Sequence, residues 1–192
     1  MKKITGAAWV SILCALLAAG LVVALHQLDP QYLPERHNLD QYMLGSYGWM
    51  MRAAFFLLAA AVAGLSYSLI VETPGDSKLG AFLLLLAGFG FLFAGLFSPG
   101  PGGVATLLVE QVHAGSLGMA RATAALGAQM VAWRARRGQA GWLNLLLAVV
   151  LAAAWFWLRA APDGLAGWQD RAFAAALIVW LLSSNLANEV SK

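Results

Sequence analysis

The sequence predicts an all-α integral membrane protein: a six-helix bundle with short loops and both termini in the cytoplasm. Of its 192 residues, 61% are hydrophobic and 11% are charged, whereas soluble domains have about 45–50% and 25%. Six apolar segments, separated by Pro- and Gly-containing connectors, approach the length of about 20 helical residues that crosses a bilayer. We expect a single transmembrane domain over residues 1–192, with spans near 7–27, 43–71, 79–97, 109–133, 142–160 and 170–187.

The first two segments differ in how they meet the membrane surface. The apolar run 7–25 covers about 19 residues, longer than the roughly 7–15 of a cleaved signal core, so it predicts a retained signal anchor. The second segment has about 29 residues, which at 1.5 Å each span roughly 43 Å against a hydrocarbon core of about 30 Å. We therefore expect "NLDQYMLGSYGWM" to form an interfacial turn, bent at Gly45 and Gly48, before the helix descends.

Small residues recur on the second, third and fourth segments. In lipid, small side chains let helices approach closely, and van der Waals packing then holds them together. Because the fourth segment is small on several faces, we expect it to be the span most surrounded by other helices. The residues concerned are Ala60, Gly64, Gly88, Gly95, Gly115, Gly118, Ala122 and Gly127.

The fifth and sixth segments carry amide and hydroxyl side chains toward their predicted inner ends. In an apolar environment such groups commonly form hydrogen bonds between helices. We expect this role for Asn144, Ser183, Ser184, Asn185 and Asn188.

The distribution of lysine and arginine predicts the orientation, since short cytoplasmic loops are enriched in these residues. The predicted outer side holds Arg36, Arg159 and Arg171. The predicted inner side holds Lys2, Lys3, Lys78, Arg134, Arg136, Arg137 and Lys192. Both termini are then cytoplasmic, and the bacterial inner (plasma) membrane is the expected location.

Arg121 is the most unusual residue of the fourth segment. Counting thirteen residues from Arg134 places it about 20 Å above the inner boundary, within the hydrocarbon, where an unpaired charge costs at least about 2.5–3.5 kcal/mol. No carboxylate is expected at that depth. The structural interpretation is that Arg121 caps helix carbonyls or bonds to one of three side chains, Ser66, Tyr67 or Tyr47.

A functional interpretation groups Arg121 with three other ionisable residues, Arg52, Glu110 and His113. Together they would line an outward-facing cavity that receives an anion, such as a lipid phosphate or an acidic metabolite. Alternatively, Arg52 forms an ion pair with Glu110 or Asp40.

Metal and haem binding are further alternatives for the histidines. Glu110 and His113 form half of an E-x-x-H di-metal motif, but the second half is missing. His26 and His113 are predicted at similar depth and could ligate a haem b from two sides. A single metal held by His26, His37, His113 and Glu110 lacks tight ligand spacing. The sequence favours no resident cofactor and no metal.

Other functional classes lack the patterns that would support them. The basic residues of this chain, with formal charge +3, are scattered, which argues against nucleic-acid binding. One cysteine, Cys14, cannot form an intramolecular disulfide. There is no G-x-S-x-G elbow, H-E-x-x-H motif or phosphate-binding glycine loop.

Three motifs of spans two to four match a known pattern: Leu44-Gly45 at the start of span two, the run "GLFSP" ending span three, and His113 opening span four. These residues resemble the bacterial and archaeal six-span family known as domain of unknown function 998. The family often has Phe-Pro followed by an acid where this chain has Phe97-Ser98-Pro99. The resemblance implies the fold and topology and marks His113, without implying a reaction.

The sequence therefore favours a non-catalytic membrane protein, either an accessory subunit of a larger membrane complex or a lipid-binding module. Membrane lipids, and other membrane subunits in the first case, are the expected partners. The alternatives are a membrane enzyme or transporter that uses Arg52, Glu110, His113 and Arg121, and a bis-histidine haem protein.

Overall fold

The computed structural model describes residues 5–71, 78–97, 107–136, 139–160 and 165–190. Every regular element in these ranges is helical, which confirms the all-α prediction. The elements are α1 (Gly6–Leu28), a 3₁₀ helix (Leu39–Leu44), α2 (Gly48–Val71), α3 (Leu79–Leu96), α4 (Leu107–Ala135), α5 (Gln139–Arg159) and α6 (Ala166–Val190).

Five of these helices are long and apolar enough to cross a membrane: α1, α2, α3, α5 and α6. The chain is therefore a multi-pass membrane protein. The helix α4 is not among these five apolar helices. Its sequence includes four ionisable residues: Glu110, His113, Arg121 and Arg134.

The turn predicted before α2 is confirmed. The 3₁₀ helix ends at Leu44, and α2 begins at Gly48 after a short irregular stretch. A Cβ atom at Gly48 would lie 2.2 Å from the backbone oxygen of Met43, so the chain can fold back this tightly only because Gly48 has no side chain. Ser98 and Pro99, which end the span-three motif of the resemblance, lie outside the described residues.

Polar contacts link each helix to its sequence neighbour and then close the bundle. The Ser11 hydroxyl donates to the Ala61 carbonyl at 2.7 Å, joining α1 to α2. The Asn185 amide donates to Ser11 at 2.9 Å, joining α6 back to α1. Four further bonds link the other neighbours: Ser66 to Ala81, His113 to Ala94, Gln129 to Ala148, and Ser184 to Asn144.

These bonds confirm the interhelical role predicted for Asn144, Ser184 and Asn185, all of which are buried. The side chain of Asn188 lies outside the described part of the chain. Because hydrocarbon offers no competing water, such bonds hold helices together that are otherwise joined by van der Waals packing.

The closest helix packing involves α3 and α4. A Cβ atom at Gly90 of α3 would lie 2.7 Å from the carbonyl oxygen of Ser116 and 2.8 Å from the Cβ of Ala120. Nearer the other end, a Cβ at Gly127 of α4 would lie 3.0 Å from the carbonyl oxygen of Gly80. Glycine therefore sets the distance between these two helices, as small residues do in membrane bundles.

The prediction that α4 is the most enclosed helix is wrong. Eight of its 29 residues are buried, compared with 12 of the 24 in α2. A Cβ atom at Gly115 or Gly118 would meet nothing within 4 Å. One small-residue face of α4 packs on α3, and the opposite face is exposed.

Candidate functional site

An ion pair between α4 and α6 neutralises Arg121, the arginine that the sequence predicts to lie within the hydrocarbon. The Arg121 guanidinium donates through Nη2 to Oδ1 of Asp170, with 17% and 3% of the two side chains exposed. The expectation that no carboxylate lies at this depth is therefore wrong. The proposed partner Ser66 instead donates to Ala81, and Tyr47 and Tyr67 are exposed.

The second oxygen of Asp170 is also bonded. Oδ2 accepts the backbone N–H of Leu39 at 2.8 Å, at the start of the 3₁₀ helix. Each Asp170 oxygen therefore has a donor, as a buried carboxylate requires. One side chain of α6 thus joins α4 to the connector between α1 and α2.

Arg171, the next residue, anchors the same connector. Its Nη1 donates to the carbonyls of Pro34 at 3.1 Å, His37 at 2.7 Å and Gly167 at 2.9 Å. Its Nε donates to Nε2 of His26 at 2.7 Å. Its Nη2 donates to the Tyr42 hydroxyl at 3.4 Å. Because one guanidinium serves five acceptors, the C-terminal end of α1 and the connector are fixed on the start of α6.

The connector itself packs around Gly45. A Cβ atom there would lie 2.2 Å from Oδ2 of Asp29 and 2.9 Å from the Tyr32 ring. Burial, together with the nearby Asp29 carboxylate, raises the pKa of the Tyr32 hydroxyl. The absence of a side chain at Gly45 is therefore a packing requirement of the connector.

His113 joins three elements of the bundle. Its Nδ1 donates to the Ala94 carbonyl of α3 at 2.8 Å. Its Nε2 faces Oδ2 of Asp40, in the 3₁₀ helix, at 3.5 Å. The ring is buried, with 6% of the residue exposed. His113 thus holds α4 against α3 and the 3₁₀ helix.

A cavity of about 290 Å³ lies beside the ion pair. Its walls come from α1, the 3₁₀ helix, α2, α3, α4 and α6, and they are apolar almost throughout. Among the residues that the structure describes, the charged ones that line it are Arg121, Asp170 and Arg171, which lie together. Apolar lining side chains include Val22, Phe55, Leu58, Phe91, Phe173 and Leu177.

The cavity opens sideways, between α1 and α6. Val23 of α1 and Val179 of α6 both line it, and they are 65% and 47% exposed at the surface of the bundle. Because α1 and α6 are membrane-spanning candidates, this opening lies at the depth of the lipid hydrocarbon chains.

The four residues grouped by the functional interpretation point to different places. Only Arg121 lines the cavity. His113 contacts α3 and the 3₁₀ helix. Glu110 is exposed in the first turn of α4, and Arg52 is half-buried near the start of α2. The cavity therefore brings Arg121 together with Asp170 and Arg171, which sequence reasoning did not include.

A signal for Asp170 and Arg171 was present in the sequence. They are adjacent charged residues at the start of the predicted span 170–187. Ionisable residues within a membrane span usually pair with one another and face the interior of the bundle. Matching Asp170 with Arg121 on that basis would have located the polar end of the cavity.

The histidines are held by protein groups. The Nδ1 of His26 donates to the Val22 carbonyl at 2.7 Å, and its Nε2 accepts from Arg171, so both ring nitrogens are engaged. Within the described ranges, no three or more His, Cys, Asp or Glu side chains are grouped so that they could hold a metal ion. The set of His26, His37, His113 and Glu110 is thus not assembled.

Comparison with known proteins identifies the family. No curated protein and no solved structure matches the chain. The model of the family described as "Protein of unknown function (DUF998)" matches residues 12–185. This range includes Gly45 and His113, the two residues of the resemblance whose packing roles are described above. Because the match covers most of its 192 residues, the chain belongs to the DUF998 family.

Proposed function

We propose that this protein is a non-catalytic, six-span protein of the bacterial inner membrane that binds a hydrocarbon chain of a membrane lipid between α1 and α6. The observation that carries the proposal is the apolar cavity of about 290 Å³, open toward the bilayer beside Val23 and Val179. Apolar concave sites with a few polar groups are typical of small-molecule binding.

Packing between α3 and α4 supports α4 as the sixth span. Gly80 lies against Gly127, Gly90 against Ala120, and Ala94 against His113. The two helices therefore run antiparallel over nearly the full length of α3, which is a membrane-span candidate. A helix that follows α3 through the same depth crosses the same hydrocarbon layer.

Six spans return the C-terminus to the side of the N-terminus. The lysine and arginine bias of the connectors then supports a cytoplasmic location for both termini. On this orientation the 3₁₀ helix, Asp170 and Arg171 lie toward the outer face, and the cavity extends from them into the outer leaflet.

The contacts of the charged groups support binding and not proton transfer. Both oxygens of Asp170 accept protein hydrogen bonds, and Arg171 donates to five protein acceptors. A general acid or base must instead reach the proton that it transfers. The charged end of the cavity is better suited to hold a ligand in place.

Filling the cavity tests the proposal. Ala174 lines it, so Ala174→Phe should displace a bound chain, whereas Ala153→Phe adds the same bulk at an exposed position of α5. Native mass spectrometry of each protein, released from membranes in mild detergent, measures the bound lipid. We expect wild type and Ala153→Phe to retain lipid and Ala174→Phe to lose it. Equal lipid occupancy in a correctly folded Ala174→Phe protein would overturn the proposal.

An accessory-subunit role is the second candidate. The exposed face of α4 includes Glu110, Gln111, Gly115 and Gly118, and α4 is the helix that falls short of the hydropathy of a membrane span. Such a face suits another protein helix better than lipid. Purification in mild detergent separates the candidates, because a monodisperse monomer with no stoichiometric partner argues against the subunit role.

A further inference from the structure

We propose that the ligand of this cavity is a single-chain amphiphile with an anionic oxygen head group, and that Arg121 binds the head group. The inference rests on the proposed function and adds the chemical class of the ligand. It depends on three observations: the balance of charge at the polar end, the hydrogen bonds made by each arginine, and the size of the apolar part.

The polar end of the cavity carries more positive than negative charge. Two arginines, Arg121 and Arg171, line it together with one carboxylate, Asp170. Arg171 donates to carbonyl oxygens and to His26, acceptors that carry no formal negative charge. Among the groups that line the cavity, one positive charge is therefore in excess, and screening by water is weak there. The next carboxylate, Asp40, acts on Asp170 electrostatically but does not line the cavity. An anionic group is the complementary ligand.

Arg121 is the arginine that can contact this anion. A guanidinium has five N–H donors, and within the part of the chain that the structure describes, the only hydrogen bond of Arg121 is the one from Nη2 to Asp170. Arg171 instead donates from all three of its nitrogens to five protein acceptors. Arg121 thus keeps donors for a carboxylate or phosphate oxygen, both of which an arginine binds well.

The volume of the cavity suits one hydrocarbon chain. An apolar cavity of about 150 Å³ binds benzene, a molecule of six carbons. The cavity here, about 290 Å³, is roughly twice as large and so accommodates about twelve carbons by the same proportion. Two acyl chains of a phospholipid do not fit inside it together.

Asp170 competes with the ligand for Arg121. Both are anions that bind the same guanidinium, so Asp170 lowers the affinity of the site while it neutralises Arg121 in the empty state. This competition gives the proposal a distinctive consequence. Removing the charge of Asp170 should strengthen ligand binding, whereas removing the charge of Arg121 should weaken it.

The experiment measures saturable binding of tritiated dodecanoate to the purified full-length protein held in amphipol, with empty amphipol subtracted. Unlabelled dodecanoate, dodecyl phosphate and dodecanol compete for the site. We expect either anion to compete at least about tenfold better than dodecanol, since a charge-assisted hydrogen bond contributes that much. The comparison of the two anions distinguishes a carboxylate head group from a phosphate.

The variants separate a head-group effect from loss of folding. Arg121→Gln should bind dodecanoate about tenfold more weakly while retaining dodecanol binding. Asp170→Asn should bind dodecanoate more tightly than wild type, a gain that misfolding does not produce. Both are assayed well below their unfolding temperatures.

Different failures lead to different conclusions. Equal competition by all three compounds would overturn the head-group inference and leave the proposed hydrocarbon site standing. A two-chain phospholipid is used as a fourth competitor, and stronger competition by it than by dodecanoate would overturn the single-chain assignment. Absence of saturable binding for every compound, in a folded protein, would overturn the proposed function as well.

Discussion

At the scale of single residues, the fold depends on how charge is accommodated in an apolar setting. Arg121 lies within the bundle, and a lone arginine in hydrocarbon costs at least about 2.5–3.5 kcal/mol. Asp170 removes most of that cost by pairing with Arg121, and Leu39 completes the coordination of the carboxylate. The two charges are therefore tolerated only together.

This dependence predicts a non-additive mutant cycle. Asp170→Asn and Arg121→Gln should each lower the free energy of unfolding by about 3 kcal/mol, because each leaves a buried charge without its partner. The double variant leaves no buried charge and should lose less than the sum of the two. Reversible unfolding in mixed micelles, titrated with a denaturing detergent, measures all four proteins. Additive losses would show that the two side chains do not interact.

Gly45 provides a second test at this scale. In Gly45→Ala the new Cβ atom would lie 2.2 Å from Oδ2 of Asp29, so the connector must shift, at a cost of about 1–3 kcal/mol. Gly20→Ala is the matched control, because a Cβ there meets nothing within 4 Å. Thermal unfolding followed by circular dichroism should show a lower midpoint for Gly45→Ala alone. Equal midpoints would contradict the close packing around Gly45.

The inward direction of Arg121 was predictable from the sequence, and Asp170 was a candidate partner, but the sequence did not show that the two side chains lie at the same depth. The cost of an unpaired charge requires a partner without specifying which one. In the sequence, the depth of Arg121 follows from the C-terminal end of α4, whereas the depth of Asp170 follows from the N-terminal end of α6. Relating the two depths requires the actual helix limits, Leu107–Ala135 and Ala166–Val190, and the position of the 3₁₀ helix that bonds to Asp170.

At the scale of elements, the 3₁₀ helix is held by side chains from two helices, α4 and α6. Its Leu39 bonds to Asp170 of α6, and its Asp40 faces His113 of α4. Glycines at 45 and 48 predicted the turn that follows it, because glycine permits close backbone approach. The long-range contacts were not predictable, since local sequence does not specify which helices meet the connector.

The sequence prediction that α4 is the most enclosed helix fails for a related reason. Small residues occur both where helices touch and where a helix face is left open, so the sequence alone does not separate the two cases. Gly90 faces Ser116 and Ala120 closely, whereas Gly115 and Gly118 face open space. The structure shows which small residues lie at a helix contact and which lie on an open face.

This assignment predicts opposite outcomes for two Gly→Ala changes. Gly90→Ala places a Cβ atom 2.7 Å from the Ser116 carbonyl oxygen, which should force α3 and α4 apart and lower stability by about 1–3 kcal/mol. Gly115→Ala adds a methyl group at an open position and should leave stability unchanged or raised slightly. Differential scanning fluorimetry in the same detergent compares them. A destabilising Gly115→Ala with a neutral Gly90→Ala would reverse the assignment.

At the scale of the whole molecule, sequence-adjacent helices pack side by side, and α6 closes on α1 through Asn185 and Ser11 at one end and Arg171 and His26 at the other. These two contacts are far apart along both helices, so α1 and α6 run antiparallel. Yet between them lies the open side of the cavity, beside Val23. The composition predicted a bundle of apolar helices, whereas the cavity depends on how α1 and α6 diverge between their contacts.

The six-span topology predicts on which side of the membrane each end of α4 lies. In a Cys14→Ser background, single cysteines are placed at three exposed positions, Arg36, Gln111 and Arg134. In intact spheroplasts, a membrane-impermeant maleimide should label Arg36→Cys and Gln111→Cys, because both lie on the outer side. Arg134→Cys should react only after the membrane is permeabilised.

The labelling pattern separates topology from orientation, because it reports each side independently. If Gln111→Cys and Arg134→Cys react from the same side, α4 does not cross the membrane and the six-span proposal is wrong. If all three positions react with the opposite accessibility, six spans remain but the termini are external. In that case the cavity would draw its ligand from the cytoplasmic leaflet, since Asp170 and the 3₁₀ helix lie at the same end of the bundle as Arg36.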